Sequence, residues 1–90
     1  MTLAEQIEEL ENSRTNIRFA ELVNMCRGRF GGERTKGSHH IFKTPWPGDP
    51  RINLQKDGNK AKAYQVDQVV AALKKLLEME SRKTAAPKGK

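Results

Sequence analysis

Residues 36–43 read Lys36-Gly37-Ser38-His39-His40-Ile41-Phe42-Lys43. Glycine beside a lysine, ahead of β-branched and aromatic residues, predicts a tight turn that opens into a strand over 38–43. Neighbouring strand residues point to opposite faces, so His39 and His40 cannot share an environment. Phe42 is larger than Ile41 and gains more from burial, which puts Phe42 and His40 on the core side. His39 then faces outward with Ile41 and Lys43.

Outward from this strand the pattern continues in both directions. Before it, Glu33–Lys36 is a weaker strand candidate. After it, Thr44–Pro50 is too rich in proline and glycine for a helix or strand interior. Arg51–Gln55 alternates, with Ile52 and Leu54 on one face. Asp57-Gly58 predicts a turn. The clearest helix carries Val66, Val69, Val70, Leu73, Leu76 and Leu77 on one stripe, with Asp67, Gln68, Lys74, Lys75 and Glu78 opposite.

Upstream, Phe19, Leu22, Val23, Cys26 and Phe30 form another helical stripe. Asn16 is the expected N-cap, and Gly31-Gly32 the expected terminator. Leu3, Ile7 and Leu10 mark a short first helix with carboxylates near its start. The order is helix, helix, strand, strand, strand, helix. The expected class is α+β: a three-stranded antiparallel sheet with helices on one face, laid out like the double-stranded-RNA-binding fold, α-β-β-β-α, with an extra N-terminal helix. The expected division is an acidic helix and linker over 1–16, a main domain over 17–80, and a disordered basic tail over 81–90.

Composition narrows the function classes. Ninety residues allow one core. Aromatic residues make up 6% of the chain, so no deep pocket for a large organic cofactor is expected, and no cofactor is assigned. The 17 Lys+Arg outnumber the 11 Asp+Glu, for a net charge of +6, which favours a phosphate polyanion or an acidic protein as partner. Glu5, Glu8, Glu9 and Glu11 concentrate negative charge at the N-terminus, leaving the remainder more basic still. The single Cys26 excludes an internal disulfide and fits a reducing compartment. There is no apolar run of the ~20 residues needed to span a bilayer, and no signal-peptide pattern, so the cytoplasm is the expected location.

Few residues offer chemistry. An imidazole on an open sheet face can act as a general acid or base; equally, one histidine can be a packed residue and the other simply solvated. Adjacent histidines on opposite faces cannot chelate one ion, and Cys26 on an apolar stripe adds no credible ligand, so no metal site is expected. Buried, that thiol is a small core residue rather than a nucleophile. Ser38 points away from His39, which removes a serine triad. Lys36, Lys43, Arg51, Lys56, Lys60 and Lys62 flank the strands and turns and are the expected RNA-backbone contacts. Individually such residues also serve solubility; their collective excess favours a polyanion. Trp46 is expected over the edge of the core rather than stacked on a base. No phosphate-binding loop or dinucleotide fingerprint is present.

The stretch Lys36–Lys43, with its Gly-Ser-His core, resembles the signature of HicA toxins. The strand Ile52-Asn53-Leu54-Gln55 and the last helix continue the likeness, as do Gly58, Ala61-Lys62 and Tyr64-Gln65-Val66. It covers about residues 17 to 78. The resemblance implies a metal-independent mRNA interferase with a double-stranded-RNA-binding-like fold. It places the catalytic histidine at His39 and implies a HicB antitoxin that covers the site. Two features depart from the family pattern. The acidic helix over 2–12 and the basic tail are additions, the helix being suited either to folding over the basic face or to assembly. Asp57–Tyr64 is lysine-rich where usual members carry a proline. The competing readings are a non-catalytic RNA-binding module and an inactive relative that acts through protein interaction.

Overall fold

The computed structural model describes residues 1–46 and 51–85. Three helices and three strands follow in the expected order: α1 (Leu3–Asn12), α2 (Phe19–Arg29), β1 (Gly31–Lys36), β2 (His39–Lys43), β3 (Ile52–Gln55) and α3 (Ala63–Ala85). The sheet is antiparallel throughout, in the order β1-β2-β3.

α1 starts with a capping box. Thr2 accepts from the Glu5 N–H at 3.1 Å, and Glu5 accepts from the Thr2 N–H at 2.8 Å, satisfying two otherwise orphaned donors. Its buried stripe of Leu3, Ile7 and Leu10 joins the single core that also holds Phe42, Leu54, Val66, Val69 and Leu73. α1 packs on α3 and does not lie over the basic face. Arg14–Asp67 (2.7 Å), Lys74–Glu11 (2.8 Å) and Arg29–Gln6 (2.7 Å) tie its rim. The N-terminal helix thus shares its core with the rest of the chain.

Three local expectations are corrected. Arg18, not Asn16, is the N-cap of α2. The backbone just before α2 is held extended: the Phe19 N–H donates to the Asn59 carbonyl and the Ala61 N–H to the Ile17 carbonyl, both at 2.8 Å. α2 ends at Arg29 with extended Phe30, not on a glycine cap. The left-handed backbone of Gly32 (φ 65°) instead serves the irregularity between Gly31 and Arg34 in β1, where a Cβ would lie 2.9 Å from Lys43 Cδ. Finally, α3 runs on to Ala85, so residues 81–85 are helical rather than disordered. They contain no proline or glycine, and extending an existing helix is far easier than starting one. The expectation for 86–90, like that for 47–50 within the proline-rich stretch, lies outside the described residues.

Gly37 (φ 61°) opens the two-residue hairpin loop between paired Lys36 and His39. β3 is an edge strand, and α3 closes that edge. Gln68 Oε1 accepts from the Asn53 N–H, and Gln65 Nε2 donates to the Gln55 carbonyl, each at 3.0 Å. These glutamines satisfy backbone groups that lack a neighbouring strand. Trp46 is buried against the core edge, with Phe30 edge-on at 6.2 Å and the Lys75 ammonium 4.9 Å from the ring centre.

Candidate functional site

The pairing register assigns each strand side chain to a face. Ile41 lies opposite Arg34 and Asn53; His39 lies opposite Lys36 and Gln55. Phe42 is fully buried beneath the helices, so His40 lies on the helix side and His39 on the open side. The open face therefore carries Arg34, Lys36, His39, Ile41, Lys43, Asn53 and Gln55. Among the described residues this face has no carboxylate.

His39 is held by Asn53. Its Nδ1 lies 3.0 Å from Asn53 Oδ1. An amide oxygen can only accept, so Nδ1 carries the proton, and Nε2 of the neutral ring is left as an acceptor. The Asn53 backbone is itself fixed, by β2 on one side and Gln68 on the other. The strand, not a loop, thus sets the direction of the imidazole.

His40 has different surroundings. Its Nδ1 lies 3.1 Å from Glu33 Oε2, and its ring packs on Phe19 with centroids 5.6 Å apart. Glu33 also accepts from Arg27 Nε at 2.6 Å and Nη2 at 3.0 Å. Arg27 first, then His40, hold the Glu33 carboxyl down at about 2, so it is ionised at neutral pH. His40 thus sits beside an Arg27–Glu33 ion pair, whereas His39 has no carboxylate neighbour on its face among the described residues.

The expected phosphate contacts do not form one cluster. Lys36 and Lys43 share the open face with His39. Arg51 is exposed just ahead of β3. Lys56 and Lys60 line a groove of about 660 Å³ on the other side, with Arg18, Phe19 and His40. Lys62 is paired with Asp57 at 2.9 Å, which raises the lysine pKa. Sequence reasoning missed Arg34 and Asn53. The signal for Arg34 was its two-residue spacing from Lys36; Asn53 could be found only once the β2–β3 register was known.

Cys26 is fully buried, and burial pushes its thiol up to about 12, which leaves it protonated. Among the described residues, no three His, Cys, Asp or Glu side chains gather where they could hold a metal ion. No described helix is long and apolar enough to cross a membrane. No protein-family model, curated protein or solved structure matches the chain.

Proposed function

We propose that the chain is a HicA-like toxin: a metal-independent endoribonuclease that cuts mRNA in the cytoplasm and is neutralised by a HicB-type antitoxin. The observation that carries the reading is His39 on the open sheet face. Asn53 orients its ring, and Arg34, Lys36 and Lys43 surround it without a carboxylate among the described residues. This arrangement suits a phosphodiester on a double-stranded-RNA-binding-like sheet.

In this mechanism Nε2 of His39 removes the proton from a ribose 2′-hydroxyl. The freed oxygen attacks the adjacent phosphorus, the P–O5′ bond breaks, and the 5′-oxygen takes a proton from water or a lysine. Arg34, Lys36 and Lys43 stabilise the charge on the phosphorane. Arg51, exposed at the start of β3, remains a further backbone contact. An antitoxin neutralises the enzyme by covering this face.

The test is cleavage of single-stranded RNA in EDTA by wild type, His39→Ala and His40→Ala. General acid–base catalysis contributes about 10²–10⁴-fold, and a loss of that size is expected in His39→Ala alone, with an unchanged circular dichroism spectrum. RNA binding without cleavage by wild type would refute the enzyme reading in favour of a binding module. Loss in His40→Ala alone would move catalysis to the other face.

A further inference from the structure

The groove on the helix side joins parts that the cleavage mechanism does not use. Its rim carries Arg18 from the start of α2, and Lys56 and Lys60 from the segment between β3 and α3. His40 forms part of its wall, its ring tilted 59° against the buried Phe19 behind it with centroids 5.6 Å apart. Arg27 also lines it but is neutralised by Glu33. Arg18, Lys56 and Lys60 take part in no ion pair among the described residues. Three unpaired cations thus surround a cleft that the partly exposed His40 ring also reaches. Its backbone is fixed, because residues 18 and 60 are bridged across it.

The position of the groove is as informative as its charge. Lys56 directly follows Gln55, the residue opposite His39. Its N–H donates to the Ser38 carbonyl at 3.0 Å, beside the hairpin loop. The groove and His39 therefore lie at the same end of the sheet, on opposite faces, with Lys36 and Lys56 at the turn between them.

We infer that this groove is a second RNA subsite: it holds a phosphate and an unstacked base of the strand being cut, one or more nucleotides away from the scissile bond. Arg18, Lys56 and Lys60 hold the phosphates, and the exposed part of the His40 ring, backed by Phe19, meets the base. Substrate RNA then passes around the end of the sheet and does not lie across the open face alone. This inference rests on the RNA reading, but not on His39 being the catalyst. An acidic peptide offers matching charge, but the groove lies at the His39 end of the sheet, in the path of a strand being cut there, and this position favours RNA.

The test is the salt dependence of binding of a 12-nucleotide single-stranded RNA to the full chain, for wild type, Arg18→Gln/Lys60→Gln and His39→Ala. Both groove side chains are exposed, and the bridge between them is backbone, so the double variant is expected to keep its circular dichroism spectrum. Each phosphate contact on a single strand contributes about 0.7 to the slope of log K against log salt, so the double variant should lose about 1.4 from that slope. Amide resonances of Phe19 and Asn59 should shift on RNA addition in wild type. An unchanged slope with unmoved resonances overturns the inference. So does a double variant that loses affinity for poly-glutamate but not for RNA, which would assign the groove to an acidic protein. If wild type cuts no RNA and the slope still falls, the subsite stands and only the catalytic role of His39 fails.

Discussion

Leu10→Ala tests whether α1 is part of the folded unit. Leu10 is fully buried on the face that α1 turns to α3, beside Val70. Removing a buried leucine to alanine costs about 2–5 kcal/mol, the spread reflecting how far the surroundings collapse. The seam beside Leu10 opens to a shallow cleft, so partial relaxation is available, and about 3 kcal/mol is expected. A chain of this size has a total stability of about 5–13 kcal/mol. The same loss lowers Tm by about 12–24 °C for a domain of this length. Urea unfolding followed by circular dichroism should show a reduced midpoint in one transition with an unchanged slope. Glu8→Ala, on the exposed side of the same helix, should stay within about 0.5 kcal/mol of wild type. A Leu10→Ala protein that unfolds like the Glu8→Ala control would show that α1 is an appendage, and the shared core would be wrong.

Two further perturbations probe the two imidazole environments. Asn53→Ala removes the partner of His39 Nδ1; a hydrogen bond of about 0.5–1.5 kcal/mol corresponds to a fall in kcat of up to about tenfold, with KM little changed, and an unaltered kcat would show that Asn53 does not position the ring. Glu33→Gln addresses the other face. The folded Glu33 carboxyl is depressed to about 2, so its contribution to stability is present above the ordinary carboxylate pKa and is lost as pH falls from about 4.5 toward 2. Denaturation of wild type and Glu33→Gln from pH 6 to pH 2 should therefore show a stability gap at pH 6 that closes in acid; a gap independent of pH contradicts the assignment.

The elements themselves were legible because their apolar spacing is regular. The stripes of α2 and α3 and the alternation of Ile52 and Leu54 needed no tertiary information. The facing of His39 and His40 followed from the size of Phe42 alone. What the sequence did not reveal depends on pairing between distant segments. The residue 59–61 segment holds Ile17 to Phe19 extended, which moves the α2 N-cap from Asn16 to Arg18. The β1 irregularity brings Glu33 beneath the sheet to His40 and Arg27 while Arg34 stays on the open face. The same dependence explains the lysines: neighbours in sequence such as Lys60 and Lys62 end in a groove and in an ion pair, respectively.

The glutamine-sealed margin of β3 has a consequence for crowding. A sheet margin with unmet backbone groups recruits other chains, and here β1 is the more open margin, since α3 already meets the Asn53 N–H and the Gln55 carbonyl on β3. Two copies that meet β1 to β1 form a six-stranded sheet whose outer strands are both β3. Neither end of that sheet can recruit a third copy through those groups. Strand-to-strand association through β1 is thereby favoured to stop at a pair over propagating into a fibre.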